Sequence, residues 1–210
     1  MRLGLYNVKY AARKLIEGVL PHVKNVDPNL VSWSMVPIGA AVAACYYFGA
    51  GGQTWLYLVA IGLTCLRMYL GTLDGLMAER FKKETPVGAI VNKVTPELCD
   101  VMYLVVLALA RPEWTNLGLG VITVAWLTTF TGMVGLVSGK PGQSIGPVGQ
   151  TDRLAALLVL TLAAFFSDSY GWGIDFIWIF LVWSLFGGIV TVLLRLYPNL
   201  KDGSHGEATS

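Results

Sequence analysis

Residues 74–100 read DGLMAERFKKETPVGAIVNKVTPELCD, a run of acids, lysines and small residues inside an otherwise apolar chain. On a helix Gly71, Asp74, Gly75 and Ala78 fall at i, i+3, i+4 and i+7. They share one face with almost no side-chain bulk, which leaves room beside Asp74 for something other than protein. A second helix would set Asn92, Pro96 and Cys99 in one stripe, and Lys93, Glu97 and Asp100 in its neighbour. Two helices that present carboxylate and amide oxygens to each other suit a divalent cation and a phosphate. Hard cations take oxygen ligands, and magnesium commonly shares its shell with substrate phosphates. Ionisable groups at membrane depth cost at least about 2.5 kcal/mol each, so by default such a segment marks function.

The elements that must position these residues are membrane helices. A chain of 210 residues with 55% hydrophobic and 13% charged content is not a soluble globular domain. Six apolar spans are predicted at about 30–49, 53–80, 86–110, 114–138, 149–167 and 173–197. Each reaches the ~20 residues needed to cross a ~30 Å hydrocarbon core. The alternation expected of a membrane barrel is absent. The expected fold is therefore all-α: a polytopic protein with six transmembrane helices (29–198), preceded by an amphipathic interfacial segment (1–28) and followed by a polar tail (199–210).

Residues 2–24 set Leu5, Val8, Ala12, Leu15, Ile16, Val19 and Val23 along one helical stripe, with Lys9, Arg13, Lys14, Glu17 and Lys24 mostly turned away. That pattern suits a helix lying in the headgroup layer, basic side toward anionic lipid. It also allows packing on the protein's own helices. The same charges interrupt the apolar core that a cleavable signal peptide requires. Val26-Asp27-Pro28-Asn29 breaks the helix, with Asn29 as the expected cap of the next one. Lysine and arginine gather before the first span, between spans two and three (Arg80, Lys82, Lys83), around the four–five connection (Lys140, Arg153) and after the last span. The alternate connections carry only Arg111, so both termini and the 74–100 segment are expected on the cytoplasmic side of an inner membrane. Cys45, Cys65 and Cys99 have no metal or disulfide spacing. The frequent glycines, Gly39, Gly62 and Gly118 among them, are expected at close helix–helix contacts.

The order of the polar residues resembles the CDP-alcohol phosphotransferase family, whose signature is D-x2-D-G-x2-A-R-x8-G-x3-D-x3-D. Asp74, Gly75, Ala78 and Gly88 match it in type and spacing, while Gly71, Glu79, Asn92 and Pro96 stand where it has acid, arginine, acid and acid. GPVGQTDR at 146–153 is similar to a stretch before the fifth span in a bacterial branch of that family, and the six-span count fits. The resemblance implies transfer of a phosphatidyl or phospho-alcohol group from a CDP-linked lipid or alcohol to an alcohol, with release of CMP. It implies Mg2+ or Mn2+ held here by Asp74, Asn92 and Asp100, with Glu97 and Asp100 as the catalytic acids one turn further along. Gly75, Ala78, Arg80, Gly88, Lys93 and Arg153 would then meet the substrate. Dimers are common among such proteins.

One of four signature carboxylates survives, Pro96 removes a backbone donor from the helix, and Lys93 opposes a nearby cation by direct repulsion. The competing expectation is thus a catalytically inactive relative, a structural or lipid-binding subunit of a larger membrane complex such as an energy-transducing one. In simpler terms Asp74 pairs with Arg80 or Lys93, Lys93 pairs with Glu97, Asp100 serves Arg67 or a partner, and Arg67 serves a buried acid or a lipid phosphate. Asp152-Arg153 begins a helix, where capping by the acid is the simpler expectation and headgroup binding by Arg153 the sharper one. Membrane lipids are partners on either reading, and nothing points to nucleic acid.

Overall fold

The structure, a computed structural model, describes residues 16–137, 142 and 145–202, the side chains of 135–137 and 198–202 excepted. All regular structure among the described residues is helical. Six long helices follow in order: α1 (Pro28–Ala50), α2 (Leu56–Arg80), α3 (Pro86–Ala110), α4 (Thr115–Val137), α5 (Gln150–Tyr170) and α6 (Phe176–Asp202). Short 3-10 turns at Leu20–Val23 and Pro112–Trp114 precede α1 and α4.

Among the described residues five stretches are long and apolar enough to cross a membrane: Pro28–Ala50, Leu56–Arg80, Pro112–Val134, Gln150–Tyr170 and Phe176–Tyr197. The chain is an all-α, multi-pass membrane protein. Helix α3 matches the others in length with 25 residues, but Lys93, Glu97 and Asp100 dilute its hydropathy. Its exposed side is nonetheless apolar: Val87, Ile90, Val94, Leu98, Val105 and Leu109 repeat at helical spacing along it. The helix continues through Pro96 as one element, as α1 does through Pro37.

The chain divides into two compact units, one of residues 1–43 with 62–103 and one of 44–61 with 104–210. In the first unit, the described end of the N-terminal segment is helical over 16–19 and buries Ile16 and Leu20 against Leu73 and Met77 of α2. The rest of the amphipathic helix expected over 2–24 lies outside the described residues. Asp27, not Asn29, caps α1: its carboxylate accepts from the Asn29 N–H at 2.9 Å and its carbonyl accepts from Leu30. The helix begins at Pro28, whose missing N–H is no loss in a first turn. Asn29 therefore already sits inside it.

In the second unit α6 packs on both α4 and α5. Gly118 of α4 lies against α3 so closely that a Cβ there would stand 2.7 Å from the Ala108 Cα. One end is fastened by Trp114, whose indole N–H donates to Asp175 at 2.7 Å while the Arg111 guanidinium lies 4.7 Å over its ring. The other end is fastened by buried Arg195, which donates to the carbonyls of Ile145 at 2.8 Å and Thr128 at 2.6 Å. Helix α6 runs to Asp202, so the polar tail expected from 199 starts later than the sequence indicates. Residues 203–210 lie outside the described set.

Candidate functional site

The site belongs to the first unit and is built at the ends of three helices. Helix α2 stops in a Schellman motif: the Lys83 N–H reaches the Ala78 carbonyl at 2.9 Å and the Lys82 N–H reaches Glu79 at 3.4 Å. Lys82 takes the left-handed position (φ 54°) that glycine usually fills. The chain then turns into α3, which Thr85 caps by accepting the Gly88 N–H on its hydroxyl at 2.9 Å. Pro86 follows in the first helical position. The Lys83 ammonium donates to the carbonyls of Lys24 (2.7 Å) and Val26 (2.9 Å), fastening this turn to the break before α1.

Between these ends lies a cavity of about 580 Å³. The start of α1 contributes Asn29 and Ser32, α2 contributes Asp74, Gly75 and Ala78, and α3 contributes Gly88, Asn92 and Lys93. Lys83, Glu84 and Thr85 complete the wall from the turn. Gly88 is needed for closeness, since a Cβ there would stand 3.0 Å from both the Asn29 side-chain oxygen and the Thr85 hydroxyl.

Asp74 is 1% exposed and engaged by three neutral donors. The Ser32 hydroxyl donates to one carboxylate oxygen. The other oxygen accepts the Gly75 N–H at 2.6 Å and the Asn92 side-chain amide at 3.3 Å. Neither Arg80 nor Lys93, its expected partners, makes a salt bridge to it. Arg80 is exposed at the end of α2 and is not among the lining residues. Lys93 is exposed at the cavity wall and has no ion-pair partner among the described residues, so the expected Lys93–Glu97 pair is not formed.

Asp100 goes elsewhere. It is 3% exposed and accepts from the guanidinium of buried Arg67 at 2.9 Å. The same Arg67 nitrogen reaches the Pro96 carbonyl at 2.5 Å. Neither Asp100 nor Glu97 lines the cavity, so the acids expected to compensate for the lost signature positions are not gathered with Asp74. Arg153 belongs to the second unit, where it is 5% exposed on the first turn of α5. Asp152 takes the bland role there, accepting the Gly149 N–H at 3.0 Å as a cap.

The structure thus brings together Asp74, Gly75, Ala78, Gly88, Asn92 and Lys93, and leaves out Arg80, Glu97, Asp100 and Arg153. Sequence reasoning missed Ser32, Lys83, Glu84 and Thr85. Ser32 had a usable signal, a small polar residue one turn into a span otherwise written LVSWSMV.

The donor set does not fit a resident divalent cation. Of the two carboxylates on the wall, Glu84 is exposed at the turn and Asp74 already accepts from three donors, one of them the Asn92 side-chain amide. Lys93 places a cation on the same wall. Among the described residues no group of three His, Cys, Asp or Glu side chains could hold a metal ion.

No protein-family model matches the chain. It is similar to Inner membrane protein YnbA of Escherichia coli (strain K12), 29% identical over 200 residues that cover 91% of this chain and 98% of that protein. The likeness therefore runs nearly end to end, and the apolar helices it spans are those of a multi-pass membrane protein.

Proposed function

We propose that this chain is an inner-membrane protein of CDP-alcohol phosphotransferase type that has kept a headgroup cavity and lost the metal-dependent transfer step. It serves as a lipid-binding or structural subunit of a larger membrane complex. The observation that carries this reading is Asp74, the one signature acid present, engaged by Ser32, Gly75 and Asn92 while Asp100 pairs with Arg67. Metal-assisted phosphoryl transfer needs concentrated negative charge to bring ions onto the leaving and bridging oxygens. This cavity offers Asp74 and Glu84 against Lys83 and Lys93. In this reading α3 crosses the bilayer as a sixth span, its apolar stripe toward lipid and its charges inward. The basic N-terminal segment lies at the interface, and both termini are cytoplasmic.

A second reading, active transfer to an alcohol with release of CMP, is favoured by one observation: the matching motif residues Asp74, Gly75, Ala78 and Gly88 all line a single cavity. One assay separates the two. Purified protein is given CDP-diacylglycerol, a panel of alcohols and Mg2+ or Mn2+, and CMP is measured. The inactive reading expects none, together with stoichiometric copurification of membrane partners under mild extraction. Turnover abolished by Asp74→Asn removes it in favour of the transferase.

A further inference from the structure

The cavity is a place where a cation is missing from the chemistry but not from the wall. A phosphate brought between these helices needs positive charge. The residues present do not suit a divalent ion, because Asp74 already accepts three hydrogen bonds and Glu84, the other acid of the wall, is exposed at the turn. Lys93 is different. Its ammonium carries no ion pair among the described residues, it stands on the cavity wall one residue after Asn92, and it is exposed toward the open space. Lys83 lines the same wall but is held by two carbonyls, so its charge is present while its hydrogens are largely committed. Glu84, also on the wall, is exposed at the turn and sets a negative edge to the cavity.

We infer that the cavity binds a phosphate-bearing group without a divalent metal, with the Lys93 ammonium as the counter-charge. The inference rests on the reading above that this is a headgroup cavity, and adds how its charge is met. Asp74 then has an unusual sign for a residue at such a centre. In a metal-dependent site its removal abolishes binding, because the ion leaves with it. Here its charge only repels the ligand, and its work is to hold Ser32, Gly75 and Asn92 in place. A charge-assisted hydrogen bond between an ammonium and a phosphate oxygen is about twice as strong as a neutral one, which makes Lys93 the dominant contact.

The test is binding rather than turnover, with purified full-length protein in phosphatidylcholine nanodiscs and CDP-diacylglycerol as the probe. Affinity is compared in excess EDTA and in excess Mg2+. The expected result is equal affinity in both, a loss of on the order of tenfold in Lys93→Gln, and recovery in Lys93→Arg. Melting curves show that each variant is folded, and Lys93, being exposed, leaves the packing alone. Phosphatidylglycerol and inorganic phosphate are run as competitors. Lys93-dependent displacement by either supports the assignment, and which one displaces tells a lipid headgroup from a free anion. Binding that requires Mg2+, or that Lys93→Gln leaves unchanged, overturns the metal-free site while leaving the cavity as a binding place. No binding of any probe to folded protein overturns both.

Discussion

Arg67 and Asp100 are each almost fully buried and meet at 2.9 Å, so removing either one takes a close opposite charge from the other. Arg67→Met should cost about 3–5 kcal/mol, and the double change Arg67→Met with Asp100→Leu should recover much of that loss. Chemical unfolding in detergent measures both. If the double variant is no more stable than the single, the pair is not the origin of the effect. The sequence already offered Arg67 as an outlet for Asp100, a buried acid being one of two uses for an arginine deep in a span and a lipid phosphate the other. What it could not decide was which of two uses Asp100 would have, since that depends on rotation of α3 and not on spacing. The same holds for Asp74. Its position on a small-residue face was legible, but its partners were expected to be cations and turned out to be neutral donors. One of them, Ser32, comes from a helix 42 residues earlier, and no local pattern links the two.

Among the elements, helix ends and glycines give the sharpest expectations. Lys82 holds a left-handed backbone position that costs a side-chain-bearing residue about 1–2 kcal/mol. Lys82→Gly should therefore stabilise the first unit, seen as a higher melting temperature. Glycines divide into two kinds that their sequence setting does not distinguish. A Cβ at Gly118 would press within 2.7 Å of the Ala108 backbone, which cannot retreat, so Gly118→Ala should destabilise by about 1–3 kcal/mol. Gly62 has open space around it, contrary to the close contact expected there, and Gly62→Ala should be neutral or gain up to about 1 kcal/mol of helix propensity. Equal effects from the two would show that contact geometry is not what separates them. The helices themselves were legible because apolar runs of this length have few other solutions. Their ends were less so: Asp27 rather than Asn29 caps α1, and α6 continues to Asp202, since capping depends on where the first turn closes.

For the whole molecule the open quantity is the number of crossings. Five spans put the termini on opposite sides, and six put them on the same side. The lysine and arginine asymmetry favours six, and α3 reconciles this with its diluted hydropathy by keeping one apolar side along its full length. Alkaline phosphatase fused after Gly52 or after Trp172 should be active, while a fusion at the C-terminus should be inactive and a fluorescent protein there should glow. An active phosphatase at the C-terminus would reduce α3 to a helix that does not cross.

The fastening of Lys83 makes two adjacent lysines chemically unlike. Acylating reagents need a free amine, and at Lys83 they must first break the bonds to Lys24 and Val26, whereas Lys82 stands exposed beside it. Peptide mapping after brief labelling should find Lys82 modified and its neighbour spared. That contrast would serve as an internal gauge of intactness, reporting after every extraction or substitution whether the mouth of the cavity has survived.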